Sequence, residues 1–594
     1  MRRTTHRTTY TPAMDVRSVV PGLAWMGSYK PAALPRDAFA AVVLTAILVP
    51  AGMGYAQATG LPPIIGLYAT IVPLLAYALL GPSRILVLGP DSALLPIIAA
   101  AILPLAAGNE ARAVMLAALL AVIVGVVVLA AGIARLGFLT DLLSAPVRTG
   151  YLNGIALIVI ASQLPKLFGF STDGGSVVER AGSFAVGVRD GETNPVDLAI
   201  GLVCLAIILI LRRWAPKVPG ILIAVVGSTV LTAALDLATR SSVAVVGPLP
   251  VGLPPLTLPP LDVRDILAIV PAALGIALVA ATDTSVITRT FSIRRGEEVD
   301  QNRELIALGA ANIATGFFSG MPISSSSSRT PVAEEAGAQT QMTSVVAALL
   351  VAVLLIAAPG LLTNLPIATL AAVVIAAGLS LFDIGAVTRL WRVGSAEFWL
   401  AIASFVGVAF VGVIEGVFFA VALSLVAFVR RAWAPHDAIL GRAHGVKGYH
   451  DLHYYPEARQ VPGLLLYRFD APLFFANAEA FRDRIRERIE SAEVPVRWVV
   501  IAAEPITDVD TTAADVLDRL EADLAAEGIT LVFAELKDPV KARLRRYGAL
   551  QRVGEDRIFP TVGTAVSGYL RASGERWTDW EEEDEASGPP GPPR

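Results

Sequence analysis

Two long stretches without any charged residue constrain this chain more than any other feature. Residues 38–83 and 341–382 contain no Asp, Glu, Lys, Arg or His. A helix needs about 20 consecutive apolar residues to cross a bilayer, and each stretch exceeds this length. Charged residues make up only 16% of the chain, against about 25% in soluble domains, and they crowd together after residue 432. The sequence therefore predicts a polytopic α-helical membrane protein with a soluble C-terminal region.

The apolar pattern divides the membrane region into fourteen segments. Their approximate bounds are 38–58, 62–81, 90–107, 113–134, 145–164, 197–211, 218–236, 264–288, 304–319, 325–338, 342–359, 365–382, 396–413 and 415–430. Cationic residues follow segments six, eight, twelve and fourteen, whereas the loop 167–196 is mainly acidic. By the positive-inside rule we expect both termini in the cytoplasm and that loop outside, in the inner (plasma) membrane of the cell.

The third and tenth segments are interrupted. In the third, ILVL leads into Gly89-Pro90; in the tenth, FFSGMPI leads into a run of serines. Backbone without helical hydrogen bonds is tolerated at membrane depth only where it is buried in protein or lines a cavity. The two breaks are equivalent if segments 1–7 and 8–14 are repeats, and because seven is odd the second repeat is inverted. Such matched breaks indicate a transporter binding site.

The residues at the breaks favour an anion. A half-helix that starts at mid-membrane presents unpaired N–H groups and the positive end of its dipole, so two facing starts can bind an anion. Gly89–Ser92 supplies one start and Ser324–Ser328 the other, while Arg329 adds a cation of the kind that is usually functional inside a membrane. An alternative stays open, in which the serines only cap and pack a helix and Arg329 pairs with an acid: Asp91, Glu334 or Glu335.

The sequence argues against an enzyme. A serine nucleophile needs a neighbouring base, and all the histidines lie outside the predicted spans: His6, His436, His444, His450 and His453. The HExxH, GxSxG and Walker-type motifs are absent from the sequence. The one cysteine, Cys204, lies in an apolar segment and cannot form an intrachain disulfide. We expect no catalytic residue, no metal, no cofactor and no nucleic-acid partner.

Several motifs, in order along the chain, resemble those of the SulP anion permeases, also called the SLC26 family. They are LVPAGMGYAQATGLPPIIGLYAT, LGPDSA, NREL, GAANIATGFFSGMP and SSSSRT. The resemblance covers residues 34–569. It implies a 7+7 inverted-repeat fold, a core domain that rocks against a gate domain, and usually a homodimer. It also implies secondary active transport of a small anion such as sulfate, bicarbonate, chloride, oxalate or a dicarboxylate, through the lipid bilayer.

The resemblance further implies which residues bind the anion. They belong to segments one, three and ten: Tyr55, Gln57, Gly89, Asp91, Ser92, Ser325, Ser326, Ser327, Ser328 and Arg329. Tyr55 could instead be an ordinary packing aromatic. Family members often have Gln after the proline of the first segment, whereas Pro50 is followed here by Ala51. Sulfate is our first expectation, and bicarbonate or a dicarboxylate remains an alternative.

Two acids are candidates for coupling ion movement to transport. Asp91 would repel an anion, so it either pairs with Arg329 or is protonated when substrate binds. Asp283 is the other acid in the membrane region that the resemblance singles out, unless it is a structural acid bonded to backbone. In sodium-coupled bicarbonate relatives a Thr four residues later helps to hold sodium, whereas here that residue is Ile287. We therefore expect proton coupling rather than sodium coupling.

The C-terminal region alternates strand-like and helix-like stretches, which predicts a small α/β domain. It resembles the STAS domain that ends SulP proteins. After its third strand, Asp510 is expected to cap a helix, and Thr511 or Thr512 could accept phosphate. The predicted organisation is a cytosolic tail (1–33), a transporter domain (34–431, with repeats 34–240 and 264–431), a linker (432–446), a STAS domain (447–572) and a disordered acidic, Pro-rich tail (573–594).

Two other functions fit parts of the pattern. A channel-like or anion-sensing protein could signal through the STAS domain rather than drive coupled transport. The nucleobase permease group shares the 7+7 fold, but the STAS domain and the SSSSSR run argue against it.

Overall fold

The computed structural model describes residues 21–141, 144–172, 177–215, 218–259, 262–296 and 299–577. The chain forms two compact units, with the boundary between Ser424 and Leu425. Most of the predicted N-terminal tail and acidic C-terminal tail lies outside the described residues. The described part of the N-terminal tail contains a short helix, in which the indole N–H of Trp25 donates to the carbonyl of Ala78 at 2.8 Å.

The first unit consists of helices and one pair of very short strands. Its helices are α1 (Pro21–Gly27), α2 (Leu34–Ala58), α3 (Pro63–Leu80), α4 (Leu95–Ala106), α5 (Glu110–Ile133), α6 (Ala145–Leu167), α7 (Val177–Arg189), α8 (Pro195–Trp214), α9 (Gly220–Leu235), α10 (Leu237–Arg240), α11 (Val263–Arg295), α12 (Gln301–Phe317), α13 (Arg329–Glu335), α14 (Met342–Ala357), α15 (Ile367–Leu381), α16 (Ile384–Val393), α17 (Ser395–Val406) and α18 (Val413–Trp433). Its strands are β1 (Leu88–Gly89) and β2 (Ser324–Ser325).

Each of the fourteen predicted segments corresponds to a helix. Among the described residues, eight helices are long and apolar enough to cross a membrane, and four apolar helices are shorter. The two remaining segments are α12, with 17 residues, and α13, with only seven. The prediction of a helix over 325–338 was too long, because its first residue belongs to β2 and the helix begins at Arg329.

The two repeats pack together through glycines. A Cβ added to Gly309 of α12 would lie 2.5 Å from the backbone nitrogen of Leu129, and one added to Gly125 of α5 would lie 2.6 Å from the carbonyl oxygen of Gly309. Small residues allow helices in a membrane to approach this closely. The contact fixes α12, which carries polar side chains described below, against the first repeat.

The second unit contains a six-stranded sheet and its helices. The strands are β3 (Asp437–Arg442), β4 (Tyr449–Asp451), β5 (Leu464–Phe469), β6 (Trp498–Ala502), β7 (Thr530–Ala534) and β8 (Ile558–Phe559), and the helices are α19 (Ala478–Glu490), α20 (Thr511–Ala526), α21 (Asp538–Tyr547), α22 (Ala549–Val553) and α23 (Val562–Ser573). The sheet order is β4-β3-β5-β6-β7-β8, with β5 to β8 parallel. Successive residues of β5 enter different apolar clusters, so both faces of the sheet are covered.

Asp510 caps α20, as the sequence predicts. Its Oδ1 accepts a hydrogen bond from the N–H of Ala513 at 2.8 Å, and its Oδ2 accepts one from the N–H of Phe475 at 2.8 Å. Thr511 and Thr512 are both exposed at the start of this helix.

Candidate functional site

A short antiparallel strand pair joins the two repeats at their breaks. Leu88 pairs with Ser325 and Gly89 with Ser324. The pairing continues on the Val87 side, where the N–H of Ser326 donates to the carbonyl of Val87 at 3.1 Å and the N–H of Val87 donates to Oγ1 of Thr330 at 3.2 Å. Extended backbone inside a membrane must find partners within the protein, and here each break supplies them for the other.

The helix starts lie further along the chain than the sequence indicates. After Gly89-Pro90 the chain makes a turn, in which Oδ1 of Asp91 accepts the N–H of Ala93 at 3.0 Å, and α4 begins only at Leu95. Ser92 is buried within this turn. Opposite it, Oγ of Ser326 accepts the N–H of Arg329 at 3.2 Å, at the start of α13.

Arg329 is the central cation of this region, and its residue is only 2% exposed. Its Nη2 donates to the carbonyl of Pro90 and lies 4.0 Å from Oδ2 of Asp91. Its Nε and Nη1 are buried and have no hydrogen-bond partner among the described residues. A Cβ at Gly89 would lie 2.9 Å from Nη1, so the guanidinium rests against a position without a side chain.

The acids near Arg329 have different partners. Of the three acids weighed as partners from the sequence, Asp91 is the one that forms an ion pair with Arg329 in the described structure. Glu334 instead pairs with Arg295 at 3.4 Å and with Arg294 at 3.8 Å.

The five serines divide into two groups. Ser324, Ser325 and Ser326 are buried, whereas Ser327 and Ser328 are exposed. The hydroxyl of Ser325 is buried and has no partner among the described residues. It is therefore a free hydrogen-bonding group on the strand that pairs with the first repeat.

The residues of α2 approach the site to different degrees. Tyr55 is buried, and Arg329 and Asp91 are close enough to act on its hydroxyl electrostatically. The Gln57 side chain contributes a buried carbonyl oxygen without a partner among the described residues. The backbone carbonyl of Gln57 accepts a hydrogen bond from Nζ of Lys166, on α6, at 2.8 Å.

Asp283 lies close to the same region. Asp91, Arg148 and Tyr151 are close enough to act on its carboxyl electrostatically. The hydroxyls of Thr282 and Thr284, on either side of it in α11, are buried and without partners among the described residues. The two acids predicted to take part in coupling therefore lie within electrostatic reach of each other.

Asn312 is a functional candidate that the sequence analysis missed. Its Nδ2 donates to the carbonyl of Ile323 at 3.1 Å, and its Oδ1 accepts the N–H of Ile323 at 3.0 Å. The side chain thus replaces a strand partner for the residue just before β2. The signal was available, because Asn312 is a polar residue in the apolar GAANIATGFF stretch.

Glu304 also bonds to the segment that precedes β1. This buried carboxylate accepts hydrogen bonds from the hydroxyls of Tyr77, at 2.6 Å, and Ser83. Nε2 of Gln341 donates to the carbonyls of Ser83 and Leu86, at 2.9 and 3.0 Å. The segment that leads into β1 is therefore fastened by residues of the second repeat.

Comparison with known proteins decides the family. The model of the sulfate permease family matches residues 34–404, and that of the STAS domain matches residues 455–565. A protein of Mycobacterium tuberculosis named "Probable sulfate transporter" is 44% identical over 560 residues, which is 94% of this chain and 100% of the relative. The chain belongs to the sulfate permease family. Sulfate transporter 1.3 of Arabidopsis thaliana is 30% identical over 577 residues, covering 93% of this chain and 87% of that protein.

Solved structures share the fold of this family member. The murine Solute Carrier 26 family member A9 anion transporter, in its inward-facing state, matches with a TM-score of 0.85 at 24% identity, over 96% of this chain and 97% of that one. The transmembrane domain of a cyanobacterium bicarbonate transporter matches with a TM-score of 0.58 at 22% identity, over 67% of this chain and 98% of that one. The predicted membrane fold with a STAS domain is thus confirmed, and the permease is a transporter rather than an enzyme.

Proposed function

We propose that this protein carries out secondary active transport of a small inorganic anion, with sulfate as the first candidate. The relatives named as sulfate transporters support this choice of anion. The observation that carries the proposal is the group of buried donors without partners at the strand pair: Nε and Nη1 of Arg329 and the hydroxyl of Ser325. Guanidinium and hydroxyl donors of this kind form hydrogen bonds to an oxyanion.

The proposed anion site lies between the turn that precedes α4 and the start of α13. Its substrate-binding residues are Tyr55, Gln57, Gly89, Asp91, Ser92, Ser325, Ser326, Ser327, Ser328 and Arg329. Because α13 has only seven residues, its dipole adds less than a long helix would, and the serine hydroxyls and Arg329 carry more of the binding. The exposed Ser327 and Ser328 are the members that meet the anion from the aqueous side.

Proton coupling follows from the charges. The Arg329–Asp91 separation of 4.0 Å is too long for a hydrogen bond, so the carboxylate does not satisfy the guanidinium. A dianion that enters this pair meets one cation and one like charge. Protonation of Asp91 or Asp283 removes repulsion from the anion site, so that proton and anion move together. Ile287 offers no oxygen to a sodium ion, which favours the proton.

The movement we propose is an elevator or rocking motion of a core domain. β1, β2 and Arg329 link the two broken segments by backbone and side-chain hydrogen bonds, which favours their moving as one body with the anion. The charge distribution around the helices supports a position in the plasma membrane with both termini in the cytoplasm. We further propose a homodimer, on the family resemblance.

Bicarbonate or a dicarboxylate is the alternative substrate, and a channel-like or anion-sensing protein is the alternative class. Labelled-sulfate uptake into proteoliposomes, with imposed proton or sodium gradients and competing anions, separates them. Accumulation driven by an acidic exterior and indifferent to sodium is the expected result. Rapid passive flux without accumulation would indicate a channel, and sulfate that neither moves nor competes would exclude it as the substrate.

The Ser325→Ala variant tests the site itself. Loss of a neutral hydrogen bond is expected to raise the KM for the transported anion by about three- to ten-fold. Ser228→Ala is the matched control, because Ser228 is also buried but its hydroxyl donates to the carbonyl of Val225 at 3.1 Å and accepts from Thr369 at 3.0 Å. An equal KM in both variants would show that the Ser325 hydroxyl does not bind the anion.

A further inference from the structure

The helix α16 lies between two membrane-spanning regions and contributes no residue to the proposed anion site. It has ten residues, so it is about 15 Å long and too short to cross a bilayer. None of its ten described residues is buried. Its sequence is IGAVTRLWRV.

The side chains of α16 separate into two faces. At about 100° per residue, Ile384, Val387, Leu390 and Trp391 fall on one side, whereas Arg389 and Arg392 fall on the other. Thr388, four residues after Ile384, lies at the edge of the apolar side. The apolar side is not covered by protein in the described structure, since Ile384 is 73% and Trp391 is 66% exposed. A helix of this kind lies in the plane of a membrane interface with its apolar face in the acyl boundary.

The neighbouring aromatic residues support an interfacial position. The Trp391 ring packs edge-on against Phe398 with 4.8 Å between ring centroids, and Phe398 packs against Trp399 at 5.5 Å. Tryptophan is enriched where a membrane protein passes from lipid to water. The cluster lies where α16 meets α17, so it marks that connection as the level of the headgroups.

The charges on the polar face are available to a ligand. Arg389 and Arg392 are exposed, and the described residues supply neither of them with a hydrogen bond or ion pair. A guanidinium binds phosphate oxygens through two parallel N–H groups. Two such side chains on a helix already held at headgroup level are complementary to anionic lipid.

We propose that α16 is an interfacial helix that binds anionic phospholipid headgroups through Arg389 and Arg392. The helix is tied to the transport unit at its start. Asp383 caps it by accepting the N–H of Ala386 at 2.7 Å, and the N–H of Asp383 donates to Oδ1 of Asn153, on α6, at 3.1 Å. Lipid bound at α16 therefore contacts an element that is anchored directly to α6.

The first experiment measures lipid preference at the protein surface. The full-length protein is reconstituted in phosphatidylcholine with trace spin-labelled phosphatidylglycerol or phosphatidylcholine, and the motionally restricted fraction of each is compared. We expect a preference for phosphatidylglycerol that falls on the order of five-fold when Arg389 and Arg392 are both replaced by Gln. The matched control is Arg212→Gln with Arg213→Gln, at the end of α8, which removes equal charge. Equal preference in the wild type and the Arg389/Arg392 variant would overturn the proposal.

A second measurement identifies what covers the apolar face. Cys204 is buried and is the only cysteine in the sequence, so a Cys204→Ala background accepts a fluorophore at Ile384→Cys or, on the polar face, at the exposed position Gly385→Cys. Lipids brominated along the acyl chain are expected to quench the first label and not the second. If neither label is quenched, a protein surface such as a second copy of the chain covers the helix, and the lipid proposal is wrong.

Discussion

In the proposed anion site, Arg329 supplies the cation. Arg329→Lys keeps the charge but loses the planar guanidinium. In the native side chain one nitrogen donates to the carbonyl of Pro90, and Nε and Nη1 have no partner among the described residues. Losing charged hydrogen bonds worth about 1.5–3 kcal/mol is expected to lower uptake efficiency roughly 10- to 100-fold, measured as initial rates in proteoliposomes. Arg294→Lys is the control, because it makes the same substitution at a side chain that is 63% exposed and lies outside the proposed anion site. Unchanged efficiency in Arg329→Lys would mean that the planar guanidinium has no role.

Gly89 is predicted to be required for space rather than for backbone freedom. An alanine Cβ there would lie 2.9 Å from Nη1 of Arg329, so Gly89→Ala should displace the guanidinium and lower anion uptake with little loss of expression. Gly227→Ala, on α9, is the control, since its Cβ would meet no atom within 4 Å. The same uptake assay decides, and equal rates for the two variants would contradict the prediction.

At the scale of elements, the extended stretch before β2 depends on Asn312. Asn312→Leu leaves the N–H and carbonyl of Ile323 without their side-chain partner. At about 1–3 kcal/mol for each buried unpaired group, we expect a clear fall in the thermal unfolding temperature in detergent. Asn109→Ala, which removes an exposed helix cap, should cost only about 1 kcal/mol. A Tm for Asn312→Leu at or above that of the control would refute this reading.

The edge strand β4 and its neighbour β3 are predicted to respond to acid. Burial tends to raise the pKa of Asp451, but the N–H of His453 and the ring of His436 bond to the carboxylate and hold its pKa below the usual range. Because the folded pKa is depressed, the stabilisation is complete above the unfolded pKa, about 4, and is lost as pH falls further.

Hydrogen exchange of β3 and β4 amides, corrected for intrinsic rates, measures this effect. Protection should decline below about pH 4 in the wild type and depend less on pH in Asp451→Asn. Asp538→Asn, at a side chain that is 96% exposed, is the control. A pH profile of Asp451→Asn identical to the wild type would show that another group controls the transition.

For the whole molecule, the pair of acids predicts how transport follows pH. Asp91→Asn is expected to flatten the pH dependence of sulfate uptake, and Asp283→Asn to abolish accumulation against a gradient while exchange continues. Asp190→Asn, an exposed acid of the loop 167–196 that pairs with Arg189 at 3.3 Å, should leave both intact. If neither membrane acid alters proton-driven accumulation, the coupling proton binds elsewhere.

The sequence predicts the membrane segments but not the contacts between them. The segments could be predicted because apolar length is a local property, and the breaks because Gly89-Pro90 and the serines interrupt it. The pairing of Leu88 with Ser325 joins residues far apart in the chain, which no local pattern encodes. For the same reason the starts of α4 and α13 were predicted too early, and the roles of Asn312 and Glu304 were missed.

The strand pair also has a consequence for biosynthesis. When the first repeat leaves the ribosome, the backbone groups around Leu88 and Gly89 enter the membrane before the residues that will bond to them have been translated. Chains that end before Ser324 are therefore expected to hold an unsatisfied edge within lipid, and to be retained by insertion factors or degraded. Completion of the second half would release them.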